Sequence, residues 1–146
     1  MLSEFKITRR VEFAETDLAG IMHFSNFFRF METAEHAFFR ALGFSIHTTQ
    51  LDPPVGWPRV HAECDYKRPL KFEDEVEVHL LVKEIRAKTI EYGFVFRKLG
   101  AQAEEVARGS LVVACVARDA KGQMKSVPIP KAIAEQIAAV PKEKLS

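Results

Sequence analysis

The sequence predicts a two-layer α+β domain in which an antiparallel sheet of about five strands packs on one long helix. Two observations carry this. Four segments repeat apolar residues at the two-residue period of a strand and a fifth is continuously apolar, and between Asn26 and Leu42 a long run switches to helical period. A third observation is length: 146 residues make a single domain, 1–146, large enough to bury a core without disulfides.

The elements follow in order. In the first strand Phe5, Ile7, Val11 and Phe13 fall on one face and Lys6, Thr8, Arg10 and Glu12 on the other. In the helix Phe27, Phe30, Met31, Ala34, Phe38, Ala41 and Leu42 recur at helical spacing, with Arg29, Thr33, His36 and Arg40 as the polar stripe. Ser25 or Asn26 can cap its start and Gly43 its end. Phe28 and Phe39 widen the apolar face until the helix must be largely wrapped. Residues 44 to 58 read as a loop punctuated by Asp52-Pro53-Pro54 and Gly56-Trp57-Pro58. Four strands follow, marked by Val60, Ala62, Cys64 and Tyr66; by Val76, Val78, Leu80 and Val82; by Ile90, Tyr92, Phe94 and Phe96; and by the run from Leu111 to Val116 in a strand spanning 105 to 117. That last run is apolar on both faces and predicts a central strand. Short, turn-rich connections predict that these four form an antiparallel meander. Residues 130 to 140 read as a short C-terminal helix, with Pro130 at its first position and Ile133 and Ile137 facing inward.

A formal net charge of +1 lacks the basic excess of a nucleic-acid binder. No apolar run approaches the ~18 residues of a membrane span. The opening MLSEFKITRR lacks the apolar stretch of a signal peptide. A cytoplasmic protein with neither a nucleic-acid nor a membrane partner is expected. Cys64 and Cys115 have no CxxC spacing and no histidine at zinc spacing, so reduced thiols and no metal site are expected. Twelve Phe against one Trp and two Tyr point to a large apolar interior, an apolar pocket, or both.

Between strand and helix lies Glu15-Thr16-Asp17-Leu18-Ala19-Gly20-Ile21-Met22-His23-Phe24-Ser25-Asn26. Asp17 stands just before a helix whose first amides are unpaired and carry the positive end of the dipole. A carboxylate facing such donors is a minimal kit for hydrolysing an activated acyl group, by direct attack or through a water, with the oxyanion held by the amides. An Asx-type turn before Gly20 explains the same aspartate without any chemistry, and spacing alone leaves both roles open. Gly20 is expected in a backbone conformation closed to other residues. His23 either orients a water or a substrate carbonyl, or is a loop histidine satisfied by backbone groups. Phe24, Phe27, Phe28 and Trp57 either line an acyl pocket or pack the core. Glu32, two turns into the helix, either touches the far end of an acyl group or pairs with His36. Lys83, Arg86 and Lys88 cluster at one strand turn and Lys67, Arg68 and Lys71 at another. Either cluster suits a phosphate-rich ligand tail, and either is also what a solvated turn looks like.

The run from Phe13 to Phe27 resembles the opening of the hotdog-fold acyl-CoA thioesterases of the 4-hydroxybenzoyl-CoA thioesterase family: a strand, then T-D-x-x-G, then an aromatic or histidine pair, then a helix with an acid near its middle, here Glu32. The stretch from Cys64 to Val76 resembles the family's Y-x-x-P-x-x-x-x-D-x-apolar hairpin, with Tyr66, Pro69, Asp74 and Val76 at the marked places. The resemblance implies a sheet wrapped around the long helix, subunits joined pairwise into one continuous sheet as a homodimer or homotetramer, and active sites at the subunit interface. It implies hydrolysis of an aliphatic or aromatic acyl-CoA to the acid and free CoA, with no cofactor beyond the CoA of the substrate; acyl carrier protein is the alternative thioester carrier. By the same resemblance Asp17 is the nucleophile or general base, the Phe24 amide polarises the thioester carbonyl, and His23 adds a polar function. Gly20, Phe28, Glu32 and Trp57 are expected along the substrate from their own positions, and the resemblance implies that Arg86 and Lys88 meet the CoA phosphates across the interface. Close relatives often carry Tyr or His where Phe24 stands and Tyr where His23 stands, so any role of Phe24 is a main-chain role.

Two other functions use the same residues. A hotdog dehydratase acting on 3-hydroxyacyl thioesters shares a His-Phe segment, but its Pro-Gly continuation is missing here. A non-catalytic acyl-CoA or acyl-carrier-protein binding module would use the same pocket, and the intact T-D-x-x-G loop argues against it.

Overall fold

Strands β1 (Glu4–Arg10), β2 (Arg59–Tyr66), β3 (Glu75–Ile85), β4 (Thr89–Lys98) and β5 (Glu104–Ala114) form one antiparallel sheet in the order β1-β3-β4-β5-β2. The structure, a computed structural model, describes residues 1–146. Helix α1 (Ser25–Ala41) lies across one face of the sheet. The alternation read from sequence accounts for the core: Val76, Val78, Leu80 and Val82 of β3 and Ile90, Tyr92, Phe94 and Phe96 of β4 are all buried against Phe27, Phe30, Met31, Ala34 and Phe38 of α1. Each large apolar side chain removed from water contributes about 1.5–3 kcal/mol, so this layer supplies most of the drive to fold. At the end of α1, Gly43 takes φ +90 while the amides of Gly43 and Phe44 bond the carbonyls of Arg40 and Phe39, both at 3.0 Å. That is a Schellman stop, as Gly43 predicts.

Four expectations are corrected. The four late strands are not a simple meander, since β2 pairs with β5 and not with β3. The second edge of β3 is taken by β1, and short turns close β3 on β4 and β4 on β5, so β2 can join only at the free edge of β5. The chain from β2 to β3 therefore runs over the end of the sheet, where it builds part of the candidate site. The strand expected to span 105 to 117 breaks at Cys115. β4 begins only at Thr89, so beyond Ala114 the chain leaves the sheet, and β6 (Val116–Arg118) pairs with β7 (Met124–Ser126) as a separate ribbon. The C-terminal helix α2 is only Lys131–Ala134. Ile133 and Ile137 do face inward, but Ile137 gets there in extended chain that bridges Leu2. Finally, β1 ends at Arg10, and Phe13 sits exposed in a 3-10 turn (Phe13–Glu15), edge-on to Phe72 at 6.0 Å. Phe5 of β1 packs edge-on to Phe38 of the helix at 6.5 Å, and Arg9 also reaches the helix, its guanidinium covering the Phe30 ring at 4.4 Å.

Candidate active site

The loop after the 3-10 turn closes on itself through Asp17. The Asp17 amide bonds the Ile21 carbonyl, the Gly20 amide bonds the Asp17 carbonyl, and the Ala19 amide bonds Asp17 Oδ1, each at 2.9 Å. Gly20 takes φ +83, the left-handed region that only glycine enters freely. The Asx turn considered from sequence is therefore present, but it occupies only one carboxylate oxygen. No other hydrogen bond and no ion pair holds Asp17, which leaves Oδ2 available.

Glu15 ties this loop to its surroundings. Its carbonyl accepts the His23 amide at 2.9 Å and the Asn26 Nδ2 at 2.8 Å; its carboxylate accepts the Glu12 amide at 2.8 Å and Arg9 at 3.2 Å. Asn26 is buried, so its amide group is committed to this one task rather than to capping. Met22 donates its amide to the Leu70 carbonyl at 2.7 Å, which binds the loop to the β2–β3 crossover.

The start of α1 is unusual in a way that bears on chemistry. The N-cap residue is Phe24, with no side-chain oxygen, and the first turn holds no acid. The Ser25 amide points at His23 Nδ1 at 3.3 Å, Asn26 bonds the His23 carbonyl at 2.9 Å, and Phe27 bonds the Phe24 carbonyl at 3.3 Å. The Phe24 amide has no partner. An unpaired N–H thus sits at the positive end of a helix dipole with no nearby carboxylate in the turn to neutralise it.

Asp17 and Phe24 open into one cleft of about 420 Å³, together with Ile21, Met22, Phe27 and Tyr66, and with Lys67, Arg68 and Pro69 at its mouth. Three of its nine lining residues, Phe24, Phe27 and Tyr66, are aromatic, and Phe24 is 61% exposed. The two cations at the mouth are matched by acids: Lys67 pairs with Glu105, and Arg68 with Glu104 at 3.2 Å. Arg108, and then Lys67, hold the Glu105 carboxyl down to about 2.

Other residues singled out from sequence lie elsewhere in the chain. His23 does not line the cleft. Its Nδ1 meets Ser25 Oγ at 2.7 Å and the Ser25 amide, and its ring lies 4.6 Å from that of Phe24, so it acts as the cap of α1. Phe28 packs partly buried against the core. Trp57 is buried against Phe39 at 5.2 Å with its Nε1 donating to Thr48 at 3.2 Å, so in this chain it anchors a loop, away from the Asp17 cleft lining. Glu32 pairs with Arg59 at 3.3 Å rather than with His36. Arg86 and Lys88 sit at the β3–β4 turn, at the opposite end of the sheet from the cleft, and Arg86 is engaged by Glu84 at 3.0 Å.

The sequence reading overlooked Tyr66 and Asn26 at the site, and Glu35 in the core. Glu35 is fully buried, and its Oε1 accepts Arg59 at 2.6 Å. A bulge between Arg59 and His61 brings Arg59 to the helix-facing side of β2. Glu35 Oε2 and the Tyr92 hydroxyl, both buried, have no partner. Burial pushes the Glu35 carboxyl up to about 7 despite Arg59. A signal was available: Glu35 stands four residues after Met31 and eight after Phe27, on the buried stripe.

The sequence profile of the thioesterase-like superfamily matches residues 11–137. A candidate esterase of Aquifex aeolicus (strain VF5) is 38% identical over 94 residues, 64% of this chain and 73% of that protein. The 1,4-dihydroxy-2-naphthoyl-CoA hydrolase of Prochlorococcus marinus (strain NATL1A) is 32% identical over 105 residues, 66% of this chain and 69% of that one. The 4-hydroxybenzoyl-CoA thioesterase of Pseudomonas sp. strain CBS-3 superposes with a TM-score of 0.82 over 92% of this chain and 99% of that one at 20% identity, which shows the shared hotdog fold. With most of its length matched, the chain belongs to the thioesterase-like superfamily.

Proposed function

We propose that the Asp17 cleft is the active site of an acyl-CoA thioesterase that prefers an aromatic acyl group. The observation that supports this is that one cleft is lined by Asp17, which keeps a free carboxylate oxygen, and by Phe24, whose amide is unpartnered at an unneutralised helix N-terminus. A thioester carbonyl oxygen placed on the Phe24 amide is polarised toward the oxyanion it becomes. Asp17 then acts by one of two routes. As nucleophile, it forms an anhydride with the acyl carbon, the C–S bond breaks, and water hydrolyses the anhydride. As base, it takes a proton from a water that attacks the same carbon, and the CoA thiolate leaves. The aromatic preference rests on the rings of Phe24, Phe27 and Tyr66 in the lining and on the Prochlorococcus relative, whose named substrate carries a naphthoyl group.

The same proposal includes a dimer. Strand β2 is an open edge of eight residues with Val60 60% exposed and Tyr66 44% exposed, the kind of edge that invites pairing. Two copies paired antiparallel through β2 would bring the partner subunit's Arg59 opposite Tyr66. The partner's β3–β4 turn would then come to the cleft end of the sheet. It would stand three strands away, about 15 Å at the usual strand spacing. The Arg86 and Lys88 of the partner subunit would there meet the phosphates of a CoA whose thioester lies on Asp17, a separation suited to the extended pantetheine arm. No helix is long and apolar enough to cross a membrane. The free Cys64 and Cys115 fit a reducing compartment such as the cytoplasm.

A thiol-release screen across aromatic, short-chain and long-chain acyl-CoAs tests the reading. Rapid release of CoA from aromatic thioesters is expected. Tight acyl-CoA binding without release would instead indicate a binding module, and an enoyl product a dehydratase.

A further inference from the structure

Tyr66, which no motif marks as functional beyond its place in a hairpin, is joined to the helix start by a single polar contact: its hydroxyl donates to the Phe24 carbonyl at 3.2 Å. Its ring stands edge-on to Phe24 at 6.4 Å and to Phe27 at 5.0 Å. We propose that Tyr66 is a positioning residue for the thioester reaction, holding the first peptide of α1 so that the Phe24 amide stays aimed into the cleft.

The argument rests on what fixes each peptide around that amide. The His23–Phe24 peptide is held at its carbonyl by Asn26 and presents its N–H unpaired. The following peptide is held at its N–H by His23 Nδ1 and at its carbonyl by the Phe27 amide, both at 3.3 Å. These are long bonds, near the outer limit for N–H donors, and both come from within the same turn. The N-cap has no side-chain oxygen to strengthen them. Helix first turns fray when their caps are weak. The Tyr66 bond, itself long for an O–H donor at 3.2 Å, is the tie that reaches the Phe24–Ser25 peptide from outside the helix, and it comes from the end of β2, an element fixed by its pairing with β5. A donor that must wait for a developing oxyanion is effective only if it is already in place, so a loose first turn lowers turnover more than binding. Burial and the neighbouring Cys64 push the Tyr66 hydroxyl up to about 12, so it remains a hydrogen-bond donor across the working pH range.

This inference depends on the proposed role of the Phe24 amide. The test is Tyr66→Phe, which keeps the ring and deletes only the hydroxyl, assayed beside the wild type and Asp17→Asn on one good acyl-CoA. The expected result is a kcat lower by about tenfold, a small part of the 10²–10³ lost when an oxyanion donor is removed outright. KM, affinity for a non-hydrolysable thioether analogue and Tm should stay near wild type, and amide hydrogen exchange should quicken at residues 24 to 27. An unchanged kcat overturns the proposal. So does a kcat loss accompanied by an equal weakening of analogue binding or a large fall in Tm, which would make Tyr66 merely structural. If the wild type releases no thiol, or Asp17→Asn releases it normally, the underlying reading fails rather than this one.

Discussion

Replacing Glu35 by Gln should change how stability depends on pH, and by a calculable amount. Glu35 is 0% exposed, and its carboxyl is raised from 4.5 to about 7, first by burial, with Arg59 pulling the other way and Glu32 adding to the rise. A rise of that size corresponds to about 3 kcal/mol between the protonated and ionised folded states. Because the folded pKa lies above the unfolded one, the stabilisation is full below about pH 4.5. It is lost as pH rises toward 7 and stays lost above. Glutamine keeps the shape and the hydrogen-bonding oxygen but cannot ionise. Glu4, Glu105 and Asp119, whose carboxyls are lowered by their partners, give the opposite slope in acid, and they are common to both proteins. Urea unfolding of wild type and variant at a fixed protein concentration, from pH 5 to 8.5, isolates Glu35 as the difference between the two curves. Between the ends of that range the variant should gain on the wild type by about 2–3 kcal/mol, since part of the loss has already occurred at pH 5. Two parallel profiles would show that the Glu35 carboxyl is not raised and that the reasoning from its buried, half-partnered position is wrong.

Asn26→Ala removes the side-chain donor to the Glu15 carbonyl and should cost about 1–3 kcal/mol in urea unfolding, with a clear fall in thiol release as the Asp17 loop loosens. Gly20→Ala meets no atom within 4 Å, so its cost is backbone strain at φ +83, about 1–2 kcal/mol by chemical denaturation. Arg86→Ala combined with Lys88→Ala should raise KM for an acyl-CoA and flatten its salt dependence while leaving an acyl-pantetheine, which lacks the nucleotide, unaffected. Equal effects on both substrates would remove those residues from the nucleotide site.

The fold was legible where one rule sufficed. Val76 to Val82 and Ile90 to Phe96 alternate without interruption, and their buried faces are the ones the alternation names. Strand order was not legible, because a short loop from β2 fits a hairpin as well as a crossover, and only competition for the edges of β3 and β5 decides between them. The break at Cys115 was hidden for a similar reason: the apolar run continues while its sheet partner ends. At the site, Asp17 and Gly20 could be named because a turn and a left-handed glycine are local signals, while the reactive roles of Asp17 and of the Phe24 amide came with the family resemblance. Asn26 and Tyr66 could not, since their partners, the Glu15 and Phe24 carbonyls, are backbone atoms whose direction no sequence spacing reveals. His23 looked catalytic for its chemistry, and its neighbour Ser25 claims it as a cap.

The central claim is that the Asp17 carboxylate carries the reaction. Asp17→Asn tests it most directly, because the asparagine oxygen can still accept the Ala19 amide and keep the turn while the charge is gone. Under single-turnover conditions with an aromatic acyl-CoA, thiol release should slow by about a thousandfold or more, with Tm and analogue binding unchanged. An asparagine variant that releases thiol at the wild-type rate would contradict the account.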